Sequence, residues 1–381
     1  MADYVDVQPE LLRWAVTRSG LELQDYGPNV AAWLAGDRRP THRQLESFAR
    51  RAMVPLGYLF LQHPPDEELP VPDYRTRRDH QVRRPSPNLV ETIFEMQRRQ
   101  DWMREYLIDQ GHEELRFVGS ARVNEPIAPL AHLMRETLEL SDDWAQQQSN
   151  WEAALRFLRE RIEAAGILVF MNGIVGNNTH RKLDADEFQG FVLIDAICPL
   201  IFVNTADYKV AQVFTIAHEL AHVWIGRSAL FDLQATHSPQ IEVEPYCNAV
   251  AAEFLVPAER LVQAWHRAAS LNGLISSLSS QFKVSPIVIA RRAKDLRLMS
   301  DDQFFAFYND YTMREGTNQG ARKGGDFWRT QNARLGTRFG SAVIAAAHEG
   351  RISYYEAYRL TRLYGRTFDK YARRLQSEGH T

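Results

Sequence analysis

Two histidines four residues apart, with a glutamate directly after the first, stand at His218-Glu219-Leu220-Ala221-His222. On a helix, positions i and i+4 share one face, so both imidazoles can point at a single ion. Glu219 lies about 100° further round. From there its carboxylate can reach a water on that ion without binding the ion itself. Paired imidazoles of this kind hold Zn²⁺ through ring nitrogens at about 2.0–2.1 Å. The composition gives a chance occurrence of roughly 0.03 per chain. Context strengthens the signal, because Thr215-Ile216-Ala217 and Val223-Trp224-Ile225 extend the motif into an apolar helix and Gly226 supplies its stop.

A catalytic zinc usually has three protein ligands and one open position. No histidine follows His222 at +6, so the third ligand is sought among the carboxylates of Ile241–Pro257. Pro245 suits the first turn of a helix, which places Glu244 at its N-cap or first turn, 22 positions beyond His222. Glu242 and Glu253 compete, and composition alone leaves Glu244 and Glu242 nearly even. The chemistry expected of such a site is metal-assisted hydrolysis, with Glu219 moving the proton of the attacking water. An oxyanion donor is also needed, and His237, Tyr208 and Tyr246 are equally available.

The elements that must carry these residues are readable around them. Trp151 to Ala165 has Leu155, Leu158 and Ile162 on one side and charges on the other, an amphipathic helix ended by Gly166. Ile167–Phe170, Phe188–Ile194 and Leu200–Val203 are β-rich apolar runs bounded by turn residues. Val210–Ile225 and Glu244–Leu255 read as helices. Helix, strands and then two helices predict an α+β fold instead of an alternating parallel sheet. The strand ending at Asn204 is expected to offer an edge on which an extended substrate adds as a strand.

These motifs resemble the ImmA/IrrE family of bacterial and phage metallopeptidases. The residues that carry the resemblance are Phe188-Gln189-Gly190-Phe191, Ile201-Phe202-Val203-Asn204, the His218–His222 motif, Glu244-Pro245-Tyr246-Cys247-Asn248 and Ala251-Ala252-Glu253-Phe254-Leu255-Val256-Pro257. The match spans about Ile167 to Pro257. It implies a zincin-like core, Glu244 as third ligand beside His218 and His222, and Glu219 as catalytic base. It also implies Zn²⁺ as cofactor, with Mn²⁺ or another divalent ion as the alternative. Relatives cleave a helix-turn-helix repressor, which makes such a repressor the expected protein substrate. Residues 9 to 60, with Trp33-Leu34-Ala35-Gly36 and Arg39-Pro40-Thr41, resemble a degenerate Xre/Cro-type helix-turn-helix. Such family members are often encoded beside repressors or in toxin–antitoxin-like loci.

The remainder of the 381 residues bounds the reading. With 45 Lys+Arg against 48 Asp+Glu the net charge is −3, which argues against a protein that coats nucleic acid. Two cysteines, Cys198 and Cys247, exclude a disulfide scaffold. An acidic N-terminus without an apolar core is not a signal peptide, and Phe191–Val203 is too short to span a bilayer. A cytoplasmic protein without membrane contact is expected.

Four segments follow: a helix-turn-helix domain (1–62), a Pro-rich linker and helical connector (63–150), the zincin-like peptidase domain (151–274) and a helical C-terminal region (275–381). The linker carries four prolines between His63 and Pro72, and Arg75, Arg77, Arg78, Arg83 and Arg84 then read as a solvated basic run. From Asp301 on, 13 Lys+Arg face 9 Asp+Glu, too small an excess to argue for DNA. Gly324-Gly325-Asp326-Phe327-Trp328 lacks the lysine of a phosphate loop and reads as a turn. Cys247, in an apolar helix, reads as structural and not as a nucleophile.

The opposing class is a DNA-binding regulator or antitoxin-like partner with a catalytically idle peptidase fold. The candidate recognition stretch Asn29–Leu34 is mainly apolar, where groove reading needs polar side chains. An intact Glu219 argues against idleness, since a purely structural metal site needs no base.

Overall fold

The computed structural model describes residues 3–65, 85–206, 211–227, 229–231, 243–265, 270–315 and 327–378. The Arg75–Arg84 run, most of the Pro-rich linker and Gly324–Asp326 lie outside them. The chain divides into two compact units, one of residues 1–70 and 78–94 and the other of 71–77 and 95–381.

The first unit is helical. Its elements are α1 (Pro9–Ser19), α2 (Asn29–Ala35) and α3 (His42–Ala52), with 3-10 turns at Leu23–Tyr26 and Leu56–Phe60. Gly20 and Gly36 end α1 and α2 in the left-handed conformation. Thr41 starts α3 by accepting from the Gln44 N–H, and Gln44 answers from its own side chain. Leu11, Leu12, Trp33, Leu45 and Phe48 form its core. A single 3-10 turn precedes α2, where a helix-turn-helix has its first helix.

The second unit holds α4 (Pro87–Asp109) from Glu95 on, α5 (Ile127–Thr137), α6 (Trp151–Ala164), β1 (Leu168–Asn172), β2 (Gly190–Leu193), β3 (Leu200–Asn204), α7 (Ala211–Ile225), β4 (Ala229–Phe231) and α8 (Val243–Leu255). After these come α9 (Ala258–Ala264), α10 (Leu271–Phe282), α11 (Pro286–Asp295), α12 (Asp301–Glu315), α13 (Phe327–Leu335), α14 (Thr337–His348), α15 (Tyr354–Thr361) and α16 (Arg366–Glu378). The fold is α+β. Ser285 caps α11 through the Val288 N–H, with Pro286 in its first turn. Among the described residues, no helix is long and apolar enough to cross a membrane.

The sheet is mixed, in the order β1-β3-β2-β4. β1 runs parallel to β3, while β2 is antiparallel to both β3 and β4. This corrects one expectation: β3 lies inside the sheet, so the strand ending at Asn204 offers no edge. Both its neighbours already take its backbone hydrogen bonds. Every residue of β1, β2 and β3 is buried, as near-continuous apolar strands covered on both faces must be. Val169, Met171, Val192, Ile201 and Val203 join a core with α6, α7 and α8. Side chains alternate along a strand, and Phe170, Phe191 and Phe202 belong to the other face. There Phe191 stacks on Phe202 at 4.9 Å and Phe170 meets Phe339 of α14 edge-on at 5.4 Å.

Candidate metal centre

α7 is apolar nearly all round, and its residues from Thr215 to Ile225 are all buried. Such a helix belongs in a core. Its C-terminal end is fixed by a passing segment: the Gly119 N–H donates to Val223 O and the Ala121 N–H to Trp224 O. Phe117 stacks on Trp224 at 4.6 Å, and Gly226 leaves the helix in the left-handed region. His218, Glu219 and His222 are therefore buried completely, on an element with little freedom to move.

α8 brings the third group. His218 Nε2 lies 3.1 Å from Glu244 Oε2, His222 Nε2 lies 3.3 Å from Glu244 Oε1, and the two Nε2 atoms are 3.1 Å apart. Ligands about 2.0–2.1 Å from one tetrahedral ion are separated by roughly 3.3–3.4 Å. The two ring nitrogens and the two carboxylate oxygens that face them thus converge at about the spacing such an ion requires. Glu244 is in the first turn of α8 and its side chain is 21% exposed, so this side of the cluster looks outward. His218, His222 and Glu244 are also the one group of metal-binding type among the described residues.

Electrostatics fits a cation here. Burial above all pushes the His218 imidazole down to about 4, which keeps it neutral, as a metal ligand must be. Its Nδ1 lies 3.1 Å from Asn248 Oδ1, an acceptor, so the proton belongs on Nδ1 and the Nε2 lone pair points at its two neighbours. Burial works to raise the Glu244 carboxyl, but the two imidazoles facing it outweigh burial and hold the group ionised. Lone pairs and a carboxylate converging this closely repel one another unless a cation sits among them. Glu219 adds to the case. Burial first, and then the Glu244 charge, pushes its carboxyl well up, and neither oxygen has a hydrogen-bond partner among the described residues. A dication reverses that local preference.

The other candidates fall elsewhere. Glu253 is committed to Arg292 and to the Ala258 N–H at the start of α9. Tyr246 lies about 200° round α8 from Glu244, where Glu125 is the first charge it senses. Burial raises the Cys247 thiol far above its ordinary value, and raises Cys198 to about 12, so neither is a ready nucleophile. Glu242, Tyr208 and His237 lie outside the described residues. Two contributors escaped the sequence reading as functional residues. Asn248 is one turn beyond Glu244 and so shares its face. Gly190, at the start of β2, lies against Glu219.

Residues 335–374 match a domain family of unknown function. No curated protein matches the chain. Residues 162–294 match the family model described as the IrrE N-terminal-like domain, a peptidase family. That stretch contains α7, α8 and all three converging side chains, so the similarity to the IrrE N-terminal-like peptidase domain covers the part of the chain that holds the candidate site.

Proposed function

We propose that the chain is a zinc-dependent peptidase in which His218, His222 and Glu244 hold the ion and Glu219 is the general base. Its substrate on this reading is a regulatory protein, such as a helix-turn-helix repressor, cut in response to a signal. The observation that supports it most is the convergence of His218 Nε2, His222 Nε2 and the two Glu244 oxygens at spacings of 3.1 to 3.3 Å, beside the buried Glu219 carboxyl, which has no hydrogen-bond partner among the described residues.

When bound, a divalent ion there supplies Lewis acidity toward water and toward the scissile carbonyl. Zn²⁺ suits two imidazoles and one carboxylate, and Mn²⁺ is the alternative. The residues do the rest. Glu219 takes the proton of the attacking water and later gives it to the leaving amine. Asn248 fixes the tautomer of His218. The completely buried wall behind Glu219 keeps bulk water from competing for that proton.

The test uses the purified chain and the helix-turn-helix repressor encoded nearest to it. Glu219→Gln should keep one zinc per chain and lose at least about 100-fold in cleavage. Glu244→Ala should lose zinc. A zinc-loaded wild-type chain that leaves the repressor intact defeats the substrate, and a Glu219→Gln variant that cuts at the wild-type rate defeats the base.

A further inference from the structure

Gly190 opens β2 and pairs with Val203 of β3 and Phe231 of β4. Its φ is not in the left-handed region, so the space around it, and not backbone conformation, decides whether a side chain fits. There is none. A Cβ there would lie 2.8 Å from Thr215 Cγ2, 2.9 Å from the Phe202 carbonyl oxygen and 3.0 Å from Glu219 Oε1. The first and third belong to α7, one helical turn apart, so the helix crosses β2 at this point and lays the Glu219 carboxylate on the bare Cα.

We propose that Gly190 is a positioning residue: its missing side chain leaves the space in which the Glu219 carboxylate lies, and the strand backbone sets where that carboxylate points. The inference rests on the reading of Glu219 as base, and its steric core stands on distances alone. Neither Glu219 oxygen is hydrogen-bonded among the described residues, so packing is what restrains it. The wall it packs on is stiff. β2 lies inside the sheet, and the Asn204 amide, fully buried, donates to Asp184 O at 3.1 Å and Phe188 O at 3.0 Å, tying down the turn that leads into Gly190. Thr215 cannot swing freely either, since its hydroxyl donates to Ala211 O. The two histidines are engaged on another side, with Glu244 and Asn248 of α8. A methyl at position 190 therefore meets the base together with Thr215 and the Phe202 carbonyl, and touches neither histidine.

The experiment is a double-mutant comparison on the full chain, with Gly190→Ala made in the wild-type and in the Glu219→Ala background. Thermal midpoint, zinc stoichiometry and hydrolysis of fluorescein-labelled casein are the readouts. Gly190→Ala should lower the midpoint by roughly 5 °C in the wild-type background and by measurably less where the Glu219 carboxylate is gone, with the Thr215 and Phe202 contacts remaining in both. Zinc stoichiometry should stay at the wild-type value, and kcat should fall about 10-fold or more with KM within a factor of two. An equal midpoint loss in both backgrounds, or a loss of zinc with Gly190→Ala, overturns the proposal. If Gly190→Ala alone is insoluble, recovery of soluble protein in the Glu219→Ala background supports it and no recovery overturns it. If the wild-type chain does not cut casein, the repressor replaces it as substrate, and the midpoint comparison by itself still decides the role of Gly190.

Discussion

Nδ1 of His218 lies 3.1 Å from the side-chain oxygen of Asn248, a residue 30 positions later in the chain. Asn248 follows Glu244 by one helical turn, so α8 presents to α7 both a candidate ligand and the group that orients another. With the proton held on Nδ1, the Nε2 lone pair faces His222 and Glu244 and is available to a metal ion. Asn248→Ala is expected to weaken zinc affinity about 10- to 100-fold, while Asn248→Asp, which still accepts from Nδ1, keeps it. Competition with a chromophoric chelator measures this. An alanine variant with unchanged affinity would mean that packing alone orients the ring.

The first unit bears on DNA. α2 has seven residues, of which Val30 and Trp33 are buried, leaving Ala31 and Ala35 among its exposed positions. Up to Phe60 the chain carries 7 arginines and no lysine against 7 acids. Phosphate contacts supply most non-specific DNA affinity and make it fall steeply with salt, and this balance supplies no net charge for them. Anisotropy titration of the full chain with duplex DNA at physiological salt should therefore give a Kd weaker than about 1 μM. A tighter, sequence-selective value would favour a DNA-reading regulator instead.

What the sequence shows and what it hides divides along locality. α7 and α8 were legible because apolar periodicity, Gly226 and Pro245 act within a few residues, and their observed bounds, Ala211–Ile225 and Val243–Leu255, differ from expectation by one residue at most. Glu244 against Glu242 was not decidable from composition, since two residues decide whether a carboxylate enters the helix or precedes it. Strand order was hidden as well. β4 is three residues long, too short to show alternation, and nothing local to Leu200–Asn204 says that β1 and β2 flank it. Asn248 could be quoted in a motif, yet its role appeared only when α8 was seen against α7.

The hardest relationship to read was the tie between α4 and the C-terminal helices. Buried Arg99 donates to Glu95 Oε1 at 2.8 Å, to Leu360 O at 3.0 Å and to Arg334 O at 3.3 Å, and its guanidinium lies over Phe170 at 5.2 Å and Phe339 at 5.8 Å. The Leu360 bond spans 261 positions. Removing Arg99 leaves the buried Glu95 still paired with Arg362, at 3.4 Å, so the cost lies below the figure of about 3–5 kcal/mol for a fully uncompensated buried charge, and replacing both partners is milder still. Arg99→Met should lower the urea midpoint of the second unit accordingly, and Arg99→Met with Glu95→Gln should recover at least half of the loss. A single variant costing under about 1 kcal/mol would show the tie to be dispensable.

A second buried carboxyl makes stability depend on pH. Glu163 of α6 is 5% exposed and accepts from the Thr337 N–H at 3.3 Å, at the start of α14. Its other oxygen has no hydrogen-bond partner among the described residues, and Gly336 leaves it room, since a Cβ there would come within 2.5 Å. Burial pushes this carboxyl up from 4.5 to about 7, against the pull of the Arg159 charge and the backbone N–H. A raised folded value means that the folded protein keeps a proton which the unfolded chain has already released. Stability is therefore full below about 4.5, falls as pH rises toward 7 and is level above it, with a total loss of about 3 kcal/mol. Glu163→Gln keeps the size and removes the ionisation. Relative to wild type it should be near neutral at pH 4.5 and more stable at pH 8, read as the difference in urea midpoint between the two proteins at each pH. A difference that does not change with pH would mean that the carboxyl titrates at its ordinary value and that α14 docks on α6 without a protonated Glu163.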